Sequence, residues 1–350
     1  MRVAIHLLTW NDRRYLPELL ASLAAQTYPD LVVRILDNGS TDDTVRYLQE
    51  HLPQAVVARN VRNLGFAPGH NQLVRYTLEH LPPDQLDDWA ILFMNSDMML
   101  DPDCVKNLVD ALQADASVNI VQPKIYRAFG EHLGDETMEE TVRSDILDST
   151  GLRVTKGWRM VERGAGEIDQ GQFDGRELRD VFGPSGACAM FRATAVRDLL
   201  IDGEFYAGDF FAYREDCDLA WRARAAGVHT AFIPAAKLWH YRGLYGAEKQ
   251  TLWQRLTNRK KQRPQFAALG TRNQLLVLLQ NLAPSDFLLA WPWILFNESG
   301  RVLYGLLFEP ATRKVLLTMP GLLKNAFHRR ALAKALRQEP PATLRAYVNR

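Results

Sequence analysis

Three carboxylates crowd one short stretch of the chain. Glu215, Asp216 and Asp218 lie within YREDCDL at the expected start of a helix. Carboxylates are favoured at a helix N-terminus and can serve there simply as caps. Like-charged crowding with partial burial also raises one carboxyl pKa toward neutrality, which makes a general base. Only one of the three can face a substrate hydroxyl, and the spacing leaves open which. A second acidic group, Asp97, ends the apolar run ILFMNSD, where a rigid strand fixes its carboxylate. A hard cation such as Mg²⁺ or Mn²⁺ takes few protein ligands and completes its shell with substrate phosphate and water. One well-placed Asp and one remote ligand then suffice. His240, in LWHY, is the remote candidate, since imidazole suits Mn²⁺. A lone histidine among aromatics is otherwise a packed core residue.

The elements that must position these groups follow from the hydrophobic pattern. Residues 2–9, 31–36, 55–59 and 89–94 read as buried strands, and 16–25, 41–52 and 69–81 as helices between them. This alternation predicts an α/β fold with a mostly parallel sheet covered by helices on both faces. Ligands of such sheets bind beyond the carboxyl ends of the strands. Polar clusters stand at three of those ends: Thr9-Trp10-Asn11, Asp37-Asn38-Gly39-Ser40 and Asn95-Ser96-Asp97. One such cluster would be an ordinary turn; three in successive units point to a shared site. No GxGxxG follows the first strand and no GxxxxGK[ST] occurs, so a bound nucleotide is not held by a glycine loop. Residues 126–180, rich in Gly and acidic side chains, predict a long irregular insertion with a hairpin near 146–162.

The chain has 350 residues, enough for a large domain plus an appendage, and its net charge of +1 conceals a split. Residues 237–350 carry 19 basic and 5 acidic side chains, against 23 and 36 in residues 1–236. An acidic body with a basic tail predicts an anionic partner for the tail. No nucleic-acid module is present, and nucleic acid is not expected as that partner. Within the tail, residues 287–297 (FLLAWPWILFN) form an uncharged run of 11 residues interrupted by Pro292. That is far short of the about 20 apolar residues a spanning helix needs. Helices lying in a membrane interface are expected instead, with Trp291, Trp293 and Tyr304 at headgroup depth and the run Arg259, Lys260, Lys261 and Arg263 attracted to anionic lipid. The alternative is that these helices pack on the body or on a second subunit. Cys104, Cys188 and Cys217 have no CxxC spacing, which argues against a disulfide framework or a zinc site. The N-terminus MRVAIHLLTWNDRR lacks the pattern of a secretory signal, and a cytoplasmic protein is expected.

Taken together these residues resemble glycosyltransferase family 2, the inverting family with a GT-A fold, over residues 1–245. The carrying segments are TWNDRRYLPELLASLAAQTYPD, ILDNGSTDDT, NVRNLGFAPGHNQ, MNSDMML, REDCDLAWR and LWHYRG, in the family's order. The middle section, and TRNQLLVLLQN with Arg272-Asn273, resemble rhamnosyltransferase-like members of the bacterial polysaccharide branch. The resemblance implies a nucleotide-diphospho-sugar donor (dTDP-, UDP- or GDP-linked) and a lipid-linked or oligosaccharide acceptor. It places Thr9, Asn11 and Asp37 around the base and ribose. Asn63, Gly65, Asn95 and Ser96 would line the rest of the nucleotide-sugar site. Asp97 would bind Mg²⁺ or Mn²⁺, with His240 completing the protein shell, and Asp216 would be the general base. Gly186, Glu215, Trp221 and Arg222 would border the sugar and acceptor pocket. Residues 246–350 would form a basic helical extension, peripheral at the inner face of the cell membrane.

Two departures from the family pattern matter. The DxD position reads Asn95-Ser96-Asp97, which removes one charge from the metal site. The QxxRW motif of processive synthases is absent, since the helix reads DLAWRARAAG, and this favours single-residue transfer. Two other readings compete. A non-catalytic sugar-nucleotide-binding or scaffold subunit draws on Asn95. A nucleotidyltransferase lacks its phosphate loop.

Overall fold

The computed structural model describes residues 1–131, 140–241 and 264–348. The expected strands form as Arg2–Thr9 (β1), Leu31–Asp37 (β2), Val56–Arg59 (β3) and Trp89–Asn95 (β4). Between them lie Leu16–Ala24 (α1), Thr44–His51 (α2) and Phe66–His80 (α3). Strands β1 and β4 bury consecutive side chains, Val3-Ala4-Ile5 and Ile91-Leu92-Phe93-Met94, because helices cover both faces of the sheet. Helix α3 begins earlier than its apolar spacing predicts. Pro68 sits in its first turn, where the missing N–H interrupts no intrahelical bond.

The chain continues through Met98–Leu100 (β5), Cys104–Ala114 (α4), Val118–Glu131 (β6), Glu140–Ser149 (β7), Leu152–Val154 (β8), Met160–Glu162 (β9), Asp180–Val181 (β10), Cys188–Arg192 (β11), Ala193–Asp198 (α5), Glu215–Ala225 (α6) and His229–His240 (β12). The main sheet runs β10-β12-β6-β11-β4-β1-β2-β3. Strands β4, β1, β2 and β3 are mutually parallel. Beyond β4 the sheet is mixed: β11 is antiparallel to both β4 and β6, while β12 is parallel to β6. The order reverses between β1 and β4, so the crevice beyond their carboxyl ends is where a ligand is expected.

The segment 126–180 is more ordered than its composition predicts. Strand β7 pairs antiparallel with β6, and β8 and β9 form a hairpin inside the expected 146–162 window. Both pairings join successive strands by backbone hydrogen bonds, which composition does not report.

The tail forms Pro264–Asn281 (α7), Pro284–Phe308 (α8), Pro310–Leu316 (α9), Met319–Leu336 (α10) and Pro341–Arg345 (α11). The division expected after residue 245 is not a division of the core. One apolar cluster joins Trp158, Phe210 and Trp221 to Leu276, Val277, Ile294 and Ala326. Pro292 does not interrupt its helix, since α8 continues through it. The charge run 259–263 lies outside the described residues.

Candidate active site

The β2 end supplies a rigid polar platform. Asp37 is completely withdrawn from solvent. Its Oδ2 accepts the backbone N–H of Ser40 at 2.9 Å and of Gly39 at 3.1 Å, and lies 3.4 Å from Arg59 Nε. The Thr9 hydroxyl reaches Oδ1 at 3.4 Å. Asn11, in a left-handed conformation at φ 57°, accepts the Thr41 N–H on its side-chain oxygen and donates its own N–H to Ser40 Oγ. Asn38 ties this platform to the next loop, donating to Asn63 Oδ1 and to the Gly65 carbonyl. Gly65 is required where it stands. Its φ is +100°, and a Cβ would come within 2.5 Å of the Phe211 carbonyl oxygen.

The β4 end meets the platform through Asp12, which accepts the Ser96 hydroxyl, while Asp12 N–H donates to Thr44. Burial raises the Asp12 carboxyl to about 6, against the lowering pull of its Ser96 hydrogen bond. Asp97 is a quarter exposed, and His240 Nε2 stands 3.2 Å from its Oδ1. His240 Nδ1 lies 2.9 Å from Asp148 Oδ2, and Asp148 in turn lies 3.5 Å from Arg127 Nε. Burial alone would lower the His240 pKa, but the two carboxylates override it and hold the ring near 10. Among the described residues no three His, Cys, Asp or Glu side chains group closely enough to enclose a metal. Asp97 with His240 is therefore a pair, with Asp148 behind it.

The structure separates the three carboxylates that spacing alone could not. Asp218 is buried, accepting from Asn281 Nδ2 at 2.7 Å and lying 3.6 Å from Arg222. Glu215 is buried with its Oε2 unpartnered, and burial followed by the Asp216 charge pushes its pKa up to about 8. Asp216 alone is half-buried at a small cleft that it lines with Pro184, Ser185, Gly186 and Tyr206. Its Oδ1 accepts the Cys217 N–H at 2.8 Å, and Oδ2 lies 3.3 Å from the Gly186 N–H. A Cβ at residue 186 would approach Asp216 Cβ to 2.9 Å, so a side chain there would push the carboxylate aside. Asn95 N–H donates to the Ala187 carbonyl, which fastens this cleft to the β4 end.

The predicted residues thus converge, with three exceptions. Thr9, Asn11, Asp37, Asn63 and Gly65 share the platform. Asn95, Ser96, Asp97 and His240 stand at the next strand end, and Gly186 and Asp216 beyond it. Glu215 is buried and does not line the cleft. Trp221 and Arg222 face the core rather than the pocket expected of them. Trp221 is fully buried and stacked on Trp158 with ring centroids 4.7 Å apart. Arg222 donates to the Phe205 carbonyl at 2.7 Å. Their helical offset from Asp216 explains this: at about 100° per residue, offsets of five and six positions turn Trp221 and Arg222 roughly 140° and 120° around α6, onto faces packed in the core. Two residues were missed. Asp12 follows the Thr9-Trp10-Asn11 cluster directly, and Asp148 lies in the stretch expected to be irregular.

With this geometry established, comparison with known proteins defines the class. The profile described as Glycosyl transferase family 2 matches residues 4–200, and that described as Glycosyl transferase family group 2 matches residues 169–321. The chain belongs to glycosyltransferase family 2 and is a glycosyl-transferring enzyme. The N-acetylglucosaminyl-diphospho-decaprenol L-rhamnosyltransferase of Mycobacterium tuberculosis is 26% identical to it over 240 residues, covering 67% of this chain and 74% of that protein. The chondroitin synthase of Escherichia coli is 33% identical over 121 residues, but these are 34% of this chain and only 16% of the synthase. Among solved structures, S. aureus TarS 1–349 aligns with a TM-score of 0.52 at 14% identity, covering 99% of this chain and 83% of that one. GalNAc-T7, solved with UDP, GalNAc and Mn²⁺, aligns with a TM-score of 0.53 at 12% identity, covering 80% and 48%. These likenesses establish the GT-A fold.

Proposed function

We propose that this family 2 enzyme moves a sugar, with rhamnose the first choice, from a nucleotide-diphospho-sugar to a hydroxyl of a lipid-linked saccharide, with inversion and with Asp216 as the general base. The observation that carries the reading is the fate of the three carboxylates. Asp218 is engaged by Asn281 and Arg222, and Glu215 is driven toward its neutral form. Asp216 is the one carboxylate of the three presented to the cleft. Asp216 accepts the hydroxyl proton as the acceptor oxygen attacks the anomeric carbon from the face opposite the diphosphate. One displacement inverts the configuration, and a placed base is worth roughly 10²–10⁴ in rate. The Asp37 platform orients the nucleotide. The rhamnose choice and the lipid-linked acceptor class rest on the mycobacterial relative, whose name gives both.

Asp97 and His240 fit a divalent cation. With Nδ1–H directed at Asp148, His240 holds Nε2 toward Asp97, so a cation bound there would displace the Nε2 proton and take the neutral ring as an already oriented ligand. A cation held there supplies positive charge to the departing diphosphate. The deciding experiment incubates the protein with dTDP-rhamnose, UDP-N-acetylglucosamine or GDP-mannose, with and without Mn²⁺, and measures nucleoside diphosphate release. One donor should be turned over, with a dependence on Mn²⁺. A protein that binds a donor yet releases nothing under any condition would be the non-catalytic subunit instead.

The tail supports attachment to a membrane surface. Helix α8 buries a narrow stripe of Asp286, Ala290, Ile294 and Glu298, whereas Leu288, Leu289, Phe296, Leu307 and Phe308 are exposed. An apolar face this extensive marks a surface for lipid or protein. No described helix is long and apolar enough to cross a membrane, and the contact proposed is with the membrane surface. The basic balance of residues 237–350 favours anionic lipid. Replacing Leu288, Phe296 and Leu307 together by Ser should abolish flotation with anionic vesicles. Unchanged flotation would return α8 to the role of a protein-packing surface.

A further inference from the structure

Three of the four residues preceding the carboxylate cluster have unusual backbone. Phe211 has φ 62° and ψ −65°, Tyr213 has φ 71°, and Arg214 has φ 74° and ψ −2°. Bulky side chains rarely adopt positive φ, and three such residues in a run of four persist only if their surroundings impose the shape. The imposing group comes from the tail. Asn273, completely buried in α7, points its amide nitrogen at three carbonyls: Phe210 at 2.8 Å, Ala212 at 3.0 Å and Tyr213 at 2.8 Å. Arg272 orients that amide, donating from Nε to Asn273 Oδ1 at 3.0 Å, and anchors the turn itself, donating from Nη2 to the Asp209 carbonyl at 2.7 Å. From the other side, Ala67 N–H donates to the Phe211 carbonyl at 3.1 Å. The strained segment is therefore gripped between the loop that opens α3 on the nucleotide side and the first helix of the tail, and it leads directly into Glu215 and Asp216.

We propose that Asn273, oriented by Arg272, is a positioning residue for glycosyl transfer: it holds segment 211–214 in its left-handed course and so sets where Asp216 meets the acceptor hydroxyl. Helix α7 is thereby part of the machinery of transfer and not only a support for the tail. This inference rests on Asp216 being the base. An amide is well suited to the task, because two N–H groups can be shared among three converging carbonyls. Asp at this position would replace the donors with negative charge facing those same carbonyls.

The test is a double-mutant cycle on the full chain, read as nucleoside diphosphate release from whichever of dTDP-rhamnose, UDP-N-acetylglucosamine and GDP-mannose is turned over, with water as acceptor. Asn273→Ala should lower kcat by about 10- to 100-fold, the cost of a displaced reacting group, with donor KM changed by less than about threefold. In an Asp216→Asn background the same substitution should cost less than about threefold, because the group it positions is already gone. Arg272→Lys, which retains the charge but removes the Nε donor, should give an intermediate loss and guards against Asn273→Ala failing to fold. An equal fold-loss in both backgrounds, or a rise in donor KM with kcat intact, overturns the inference. Near-normal turnover by Asp216→Asn alone would instead remove the base assignment, and that single variant reports it independently of the cycle.

Discussion

The two sides of the cleft treat buried charge in opposite ways. On the side proposed for the donor, Asp37 is fully buried and surrounded by two backbone N–H groups, a hydroxyl and a guanidinium. On the side proposed for the base, Glu215 is also buried, keeps an oxygen without a partner, and follows a backbone held at positive φ. A satisfied network fixes a surface and suits binding. An unsatisfied, strained one costs stability and persists where its geometry serves chemistry. The Asp37 side, proposed to take the nucleotide, is thus a rigid mould, and the Asp216 side, proposed to hold the base, is a poised element that neighbouring parts must restrain.

The largest effect should separate the two sides outright. Asp216→Asn should lower kcat by at least about 10²-fold while donor binding survives, because it removes only the proton acceptor. Turnover within a few-fold of the native rate would show that the base lies elsewhere. Asp37→Ala should do the reverse. It strips the partner from two backbone N–H groups and from Arg59, so donor KM should rise about 10- to 100-fold, as for loss of charged hydrogen bonds, with kcat much less affected. A kcat collapse with KM unchanged would erase the contrast between the sides. Asp148→Asn should act between these limits, raising the Mn²⁺ concentration for half-maximal rate by about 10-fold through loosened orientation of His240. An unaltered Mn²⁺ response would take His240 out of the metal site.

The donor side was the more legible in the sequence, and the reason is physical. Asp37, Asn38 and Ser40 follow directly on an apolar strand, so a local pattern reports a local structure. The base side is assembled from distant parts. Its three carboxylates are adjacent in sequence, but Asn281, 63 residues on, decides that Asp218 is occupied. Asp148 reaches His240 across 92 residues through the pairing of β6 with β7 and β12, in a stretch whose composition resembles a loop. Trp221 and Arg222 were misplaced for the same reason: a motif gives order along the chain, whereas which helical face meets solvent depends on what packs against it.

Glu215 offers the smallest and sharpest test of the contrast, through stability and not rate. Its folded-state pKa near 8 lies above the ordinary 4.5, so between those values the folded protein binds more protons at this site than the unfolded chain. Stability therefore falls as pH rises through that window, and the penalty is complete above about pH 8. Glu215→Gln removes the titrating group while keeping its shape. The variant should melt a few degrees above the native protein at pH 9 and should lose most of that advantage by pH 4, where the native carboxyl is neutral in the folded state and largely so in the unfolded chain. Thermal unfolding at the two pH values reads the difference directly. A melting gap that is the same at both would mean that Glu215 is not held neutral by burial, and the base side would then be as well satisfied as the mould opposite it.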